Sequence, residues 1–321
     1  MTNTVARLPG LSAVVPAYNS QQSLGQLVAR LQPVLAAHAD AYELIIVNDG
    51  SRDGTWDAIE LLAREHEWIR PIDLMRNSGQ HNALLCGIRH ARFAVVVTMD
   101  DDLQNPPDQI PVMLAALGEG VDVVYGAPAS EAHGVLRDLA SQVTKIVLQG
   151  ALGAKTARMV GPFRVFRTSI RDAFRDYRGS YVNIDVLLTW GTTRIRGVRV
   201  RHDARAGGRS NYTFWSLLRH SLNMLTGFSV LPLQLASFAG FSLTLIGVGL
   251  LAYVIARYLM QGVAVPGFAF LASITIIFSG AQLATLGIIG EYLARMHFRL
   301  MERPSYTVRV APTVPSRPGP R

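Results

Sequence analysis

Asp100, Asp101 and Asp102 stand in a row at the end of a Val-rich run, Phe93–Met99, and are followed by Leu103, Gln104, Asn105, Pro106 and Pro107. Adjacent carboxylates repel one another, so a fold that gathers three at a strand end needs positive charge nearby. Hard oxygen donors of this kind suit Mg²⁺ or Mn²⁺, which hold diphosphates through one or two carboxylates plus substrate oxygens. In a backbone that stays extended, Asp100, Asp102 and Gln104 point to one side and form the metal set, while Asp101 points to the other. The plainer alternative is a solvated acidic turn that caps a helix after Pro106. Asn48-Asp49-Gly50-Ser51 follows another apolar run, Glu43–Val47. There Asp49 can accept from a nucleobase imide or a ribose hydroxyl, although an Asp-Gly pair is also an ordinary turn. Pro16-Ala17-Tyr18-Asn19 follows Leu11–Val15 and offers an aromatic face and an amide. Each of these two is weak alone, and their order along the chain with the Asp cluster strengthens both.

The elements that must position these residues are legible as alternating periods. Leu11–Val15, Glu43–Val47, Phe93–Met99 and Val121–Tyr125 are short and rich in Val and Ile, as buried strands are. Between the first two, Leu24, Leu27, Val28, Leu31 and Leu35 recur at steps of three and four, which predicts a helix from about Gln22 to His38. A second helix is predicted over Thr55–His66, with Ser51 and Asp53 as caps. Strand and helix in alternation imply a layered α/β domain with a largely parallel sheet. In such sheets ligands sit beyond the carboxyl ends of the strands. The three polar signatures all fall there.

Charge divides the chain. Residues 1–130 carry 8 Lys and Arg against 15 Asp and Glu, whereas 131–321 carry 23 against 8. A basic half that adjoins very apolar sequence points to phosphates or anionic lipid headgroups rather than to nucleic acid. Cys86 stands alone, so no disulfide framework or cysteine zinc site can be built within one chain, and a reducing compartment is expected. Met1–Gly10 lacks the pattern of a signal peptide, so the N-terminus is expected in the cytosol. Ser221–Ala256 and Tyr258–Gly290 contain no charged residue, with Arg257 between them. Each exceeds the roughly 20 residues of a bilayer crossing, which predicts spans near Leu231–Ile255 and Phe268–Gly290. Arg209, Arg219, Arg295, Arg299 and Arg303 flank the pair against Arg257 in the loop, an asymmetry that puts both ends in the cytosol. Thr213–Phe228 mixes aromatic and aliphatic residues with Arg219 and His220, as an interfacial amphipathic helix does. The expected organisation is a catalytic domain over 1–212, an interfacial helix over 213–230, a two-helix hairpin over 231–290 and a cytosolic tail over 291–321, whose Pro-rich end from Pro312 is expected to be disordered.

With these residues in view, the chain resembles the polyprenyl-phosphate glycosyltransferases of family 2, which have the GT-A, Rossmann-like fold. The resemblance rests on Leu74-Met75-Arg76-Asn77-Ser78-Gly79-Gln80-His81-Asn82-Ala83, on the Asp cluster ending in Leu-Gln-Asn-Pro-Pro, and on Gly290-Glu291-Tyr292-Leu293-Ala294-Arg295 ahead of Arg303-Pro304. It covers roughly residues 10 to 310 and is most similar to the undecaprenyl-phosphate 4-deoxy-4-formamido-arabinose transferases, with dolichyl and undecaprenyl glucosyl and mannosyl relatives sharing much of the pattern. The resemblance implies an inverting transfer from a nucleotide-diphosphate sugar, by lean a UDP-sugar, to a polyprenyl phosphate such as undecaprenyl phosphate. Such an enzyme feeds cell-envelope glycan or lipid modification from the cytosolic face of the inner membrane, with room for a homo-oligomer. Carried over by position, it implies nucleotide-sugar contacts at Pro16, Tyr18, Asp49, Asp100 and Arg137, and a metal held by Asp100, Asp102 and Gln104. It implies phosphate contacts at Arg205, Arg209 and Ser210, with Asp102 and Arg205 the residues on which turnover depends. The stretch Arg205–Tyr212 is itself a Gly-containing, Arg-bearing loop, suited to hold a phosphate with forked donors.

Departures from the family pattern are Ser20 where a Glu is common, Pro128 near a usual Arg, Asn211 where a Lys is common, and Met159-Val160-Gly161-Pro162-Phe163 where many relatives carry an acidic residue. No general base is assigned, because a phosphate monoester with a second pKa near ~6 is already largely dianionic at neutral pH. Asp185 reads as structural. Two rival readings differ from this one in the residues they require. A processive polysaccharide synthase would resemble its relatives in an Arg-Trp pair, and none of Trp56, Trp68, Trp190 and Trp215 follows an Arg. A catalytically inactive membrane scaffold is disfavoured by the intact Asp49, Asp100, Asp102 and Gln104.

Overall fold

A computed structural model describes residues 7–128, 160–179, 182–203, 231–261, 267–301 and 304–310. The chain divides into two compact units, Met1–Phe214 with Arg303–Arg321, and Trp215–Glu302.

In the first unit, strands β1 (Leu11–Ala17), β2 (Tyr42–Asn48), β3 (Ile69–Leu74), β4 (Val95–Thr98), β5 (Val123–Pro128), β6 (Arg164–Arg167), β7 (Ile195–Val200) and β8 (Val308–Val310) form one sheet in the order β7-β5-β6-β4-β1-β2-β3-β8. Pairing is parallel except around β6, which runs antiparallel to β4 and β5, and at β8, antiparallel to β3. This is the largely parallel α/β domain that the alternating periods imply. Both faces of the sheet are covered, and the period of two divides each strand between them. From β1, Leu11, Ala13 and Val15 enter one cluster with Leu24, Leu27, Leu31 and Leu35 of α1 (Leu24–His38), Ile59 of α2 (Thr55–Glu65), and Ile110 and Met113 of α4 (Ile110–Ala116). Val14 enters the other, with Ala83, Leu84 and Ile88 of α3 (Gln80–His90) and Ile184 and Leu187 of α5 (Ile184–Gly191). Gly87 lets α3 lie close on β1, because a Cβ there would stand 2.3 Å from Val14 Cγ1.

Four strands went unpredicted, and each has a local reason. β3 interrupts its apolar residues with Arg70, Pro71 and Asp73, two of which are buried polar groups with partners elsewhere in the fold. β6 carries an Arg at each end, β7 is an edge strand whose Arg196 and Arg199 stand three apart and so break a period of two, and β8 has three residues. The predicted strand over Phe93–Met99 is shorter at both ends, Val95–Thr98.

The second unit holds two long helices, Leu231–Gln261 and Phe268–Leu300. They enclose the predicted spans but are longer than them. Arg257 therefore lies within the first helix rather than in a loop, and the second continues past Gly290 through Glu291, Arg295 and Arg299. Among the described residues one window, Ile277–Ala294, is long and apolar enough to cross a membrane, and the first helix contains a shorter apolar stretch, Phe238–Gly247. Two crossing helices were expected, and by this measure one candidate is found. The expected interfacial helix over 213–230 lies outside the described residues.

The central strands are tied by a buried polar group. Glu43 of β2 accepts from Ser12 Oγ at 2.7 Å, Arg70 Nη1 at 2.7 Å, and Arg92 N and Nε at 2.7 and 2.8 Å. Burial raises its pKa, but these donors outweigh burial and the net shift is downward from 4.5. Glu43→Ala should cost about 3–5 kcal/mol near neutral pH by leaving Arg70 without its buried partner. A depressed carboxyl contributes stability that is complete above its unfolded value and disappears as pH falls through the folded one. Denaturant titrations of parent and variant should therefore converge as pH drops below 4.5.

Candidate active site

β1 is the point where the chain changes direction across the sheet, with β2 on one side and β4 on the other. Crevices at such points take ligands in open α/β sheets. The segments after β1, β2 and β4 meet there, joined by side chains. After β1, Tyr18 is 44% exposed and Asn19 takes a left-handed backbone, φ 54°. Asn19 N donates to Ser51 Oγ at 3.0 Å and Asn19 Oδ1 accepts from Arg52 N at 2.9 Å, which fastens this turn to the one after β2. Ser20 N donates to Thr55 Oγ1 at 2.8 Å, and the Ser20 hydroxyl bonds the Asp101 carboxylate. Ser20, the departure noted above, thus links the first strand end to the acidic cluster.

Asp49 is buried and its two oxygens accept from Ser78 N at 2.7 Å and Gly79 N at 2.8 Å. Its first task is therefore to hold the turn between β3 and α3. Burial raises its pKa against these two donors. A carboxylate has about four acceptor sites, so a ribose hydroxyl or base can still be received beside them. Gly50, at φ 63°, lets the turns touch, since a Cβ there would lie 2.5 Å from the Arg76 and Asn77 backbone. Pro16 is buried in β1 opposite Val47.

The Asp cluster departs from the extended geometry on which its alternation depends. β4 ends at Thr98, residues 101–105 turn and bend, and Leu103 has φ 60°. Gln104 N folds back to Asp102 Oδ1 at 3.1 Å, while its carbonyl accepts from Asp203 N at 2.9 Å. Strand alternation therefore does not group Asp100, Asp102 and Gln104, because the strand ends before them. Asp100 and Asp102 still sense each other. Burial and then the Asp102 charge push the Asp100 carboxyl up to about 7, against the pull of Arg164. Asp101 is also raised, by burial and by Asp102, against its bond from Ser20. Gln80, at the start of α3, donates its Nε2 to Asp100 Oδ1 at 2.6 Å.

Beneath the cluster, Arg164 of β6 grips Asp185 with Nε and Nη2 at 2.7 and 3.0 Å and reaches Thr98 Oγ1 and Pro162 O with Nη1 at 3.3 and 3.1 Å. Tyr125 OH donates to Asp185 Oδ1 at 3.0 Å. Asp185 is buried, yet Arg164 outweighs that burial and holds its carboxyl below the ordinary value. It ties β6 and β5 to α5. Ser20, Gln80 and Arg164 are site residues that sequence reasoning did not single out for a role. Gln80 stood inside a quoted motif, Ser20 was marked only as a departure from the family pattern, and nothing local marked Arg164.

A divalent cation fits the donors present. Among the described residues no group of three or more His, Cys, Asp and Glu forms a ready-made cage. Crowded carboxylates whose charge is relieved by a cation, with diphosphate oxygens completing the shell, are instead the pattern of Mg²⁺-type sites. Arg137, Arg205, Arg209 and Ser210 lie outside the described residues.

Comparison with known proteins agrees with the residues. Residues 12–175 match the model of a family described as glycosyl transferase family 2. The undecaprenyl-phosphate 4-deoxy-4-formamido-L-arabinose transferase of Shewanella sediminis is 32% identical over 302 residues, covering 93% of this chain and 91% of that protein. Its counterpart in Proteus mirabilis is 32% identical over 310 residues, covering 96% and 95%. Among solved structures, glucosyl-3-phosphoglycerate synthase from Mycobacterium tuberculosis in complex with Mn²⁺ and UDP-glucose is similar at 16% identity and a TM-score of 0.49, covering 68% of this chain and 77% of that one.

The raised Asp100 pKa has a stability consequence. A carboxyl whose folded pKa lies above its unfolded value contributes stability below the unfolded value and loses it as pH rises through the folded one. In excess EDTA, Asp100→Asn should therefore melt at a higher temperature than the parent at pH 8. The difference should vanish as pH falls from about 7 towards 3.8. A lower melting temperature for the variant at pH 8 would contradict the crowding of the cluster.

Proposed function

This chain belongs to glycosyl transferase family 2, and from that premise we propose that it transfers a sugar from a nucleotide diphosphate, a UDP-sugar, to a polyprenyl phosphate at a membrane. The observation that carries the reading is the meeting of three strand-end segments at the β1 switch point, each fixed to another by a side chain and together presenting an aromatic face, a buried carboxylate and a carboxylate cluster. The relatives' names supply the acceptor class.

In this reading Tyr18 and Pro16 border the base, Asp49 receives the ribose or base while holding Ser78 and Gly79, and Asp100 and Asp102 bind Mg²⁺ or Mn²⁺, with Gln104 beside them. The cation, when bound, neutralises charge that gathers on the departing nucleotide diphosphate. Gln80 fixes one oxygen of Asp100, and Arg164 braces Thr98 and Asp185 under it, so the cluster is held before substrate arrives. The acceptor needs no general base, since a phosphate monoester is largely dianionic at neutral pH. Asp185 is ion-paired to Arg164 and is not offered as one. Arg137, Arg205, Arg209 and Ser210 are proposed as phosphate contacts on the strength of the resemblance, with inversion at the anomeric carbon.

The proposed topology puts the first unit and the tail in the cytosol, with both long helices crossing the inner membrane. Its support is the pairing of β8 with β3. Residues before the first long helix and after the second belong to one sheet. A hairpin that starts and ends in one folded unit crosses a bilayer an even number of times. Flanking arginines select the cytosolic side.

Incubation of the purified protein with undecaprenyl phosphate and a panel of UDP- and GDP-sugars, with product identification by mass, tests the function. One sugar should appear on the lipid phosphate. Asp102→Asn should reduce that turnover by two orders of magnitude or more, about 3 kcal/mol of lost transition-state stabilisation, and full activity of the parent in excess EDTA would remove the metal from the proposal. For topology, Ser316→Cys in a Cys86→Ala background should resist an impermeant thiol reagent in intact cells and react after permeabilisation. Labelling from outside would overturn the cytosolic tail.

A further inference from the structure

The C-terminal segment 304–310 follows the second long helix and reaches the sheet edge beside the proposed nucleotide end of the site. β8 pairs with β3 through Val308↔Leu74 and Val310↔Asp73, and Met75 N donates to Thr307 O at 2.9 Å. Tyr306 packs on the core cluster that contains α3, its hydroxyl receives Arg89 Nη1 at 3.3 Å, and Ser305 Oγ donates to Gly179 O at 3.0 Å. Arg309 makes the contact with a consequence. Its Nη1 lies 3.3 Å from Asp73 Oδ2, and its Nη2 donates to Met75 O at 3.3 Å.

Asp73 is a buried carboxylate, its side chain 3% exposed. Its other oxygen accepts from Asn48 Nδ2 at 2.7 Å, and Asn48 Oδ1 accepts from Ser51 N at 3.2 Å. A connected path therefore runs from the tail through Arg309, Asp73 and Asn48 into the turn that carries Asp49. A second path runs from Thr307 and Arg309 through Met75 into the turn whose Ser78 and Gly79 amides hold Asp49. Both converge on one residue. A buried carboxylate that loses its cation keeps only a neutral donor, and the least costly relief is movement of the groups around it. Here those groups are the Asn48 and Met75 turns.

We propose that Arg309 is a positioning residue for the nucleotide end of the active site, and that the C-terminal strand is a strap which sets the two Asp49-bearing turns from 234 residues away. The proposal rests on the glycosyltransferase reading above for its ligand, and on geometry alone for the strap.

The test uses the full-length protein in lipid nanodiscs, with UDP and GDP as probes for binding by calorimetry, steady-state kinetics for donor and acceptor, and site-resolved amide exchange. Arg309→Ala should weaken nucleotide binding and raise the donor KM by about fivefold, the scale of coupling through such networks. The acceptor KM and kcat should stay at the parent's values, Arg309→Lys should recover most of the loss, and the Ser78 and Gly79 amides should exchange faster in Arg309→Ala alone. If that variant fails to fold, Arg309→Gln takes its place in the same comparison. Parent-like nucleotide affinity together with parent-like exchange at Ser78 and Gly79 overturns the proposal. So does an equal loss for donor and acceptor with faster exchange throughout the sheet, which would make Arg309 a general stabiliser. If the parent binds neither UDP nor GDP, the functional reading fails, while exchange at Ser78 and Gly79 still decides whether the strap sets these turns.

Discussion

Crowding of three carboxylates at the end of β4 is the constraint around which the catalytic unit is arranged. Asp100, Asp101 and Asp102 repel one another at short range and are drawn partly out of water, so without support the turn would open and scatter them. The support comes from separate parts of the chain. Gln80 at the start of α3 holds Asp100, Ser20 after β1 holds Asp101, and the Gln104 amide holds Asp102 from within the turn. Arg164 adds positive charge from below. None of these neutralises the cluster, since Asp100 still sits at about 7. The remaining affinity for positive charge is the property a metal-diphosphate site requires, and the fold stores it by burial rather than by adding more ligands.

Arg164 shows why that storage does not collapse the domain. Its guanidinium spends its fork on Asp185 and its third nitrogen on Thr98 and Pro162. One buried cation thus crosses from β6 to α5 and to the last residue of β4. This ion pair anchors the end of β4, from which the acidic cluster follows. Asp49 is fixed in a comparable way, by two backbone amides.

Joining both ends of the helical hairpin to one sheet has a further physical effect. β8 covers the β3 edge, which would otherwise present unpaired backbone groups.

What the sequence by itself determined follows from local periodicity and local composition. The apolar steps of α1 and the Val and Ile runs of β1, β2 and β4 report which face must leave water, the charge-free tracts report two long helices, and no distant residue is needed to read them. Asp49 and the Asp cluster were legible because they sit directly after such runs. The tertiary structure alone decided which partners those carboxylates have. Ser20, Gln80 and Arg164 reach the cluster across 81, 20 and 64 residues or fewer, and Arg309 reaches Asp73 from the far end of the chain. It also decided the turn at Leu103 that cancels simple alternation, and the strands β3, β6, β7 and β8, whose polar residues hide their period. Arg70 and Asp73 of β3 and Arg164 of β6 are satisfied by groups brought near only when the sheet assembles, so their burial has no local signature.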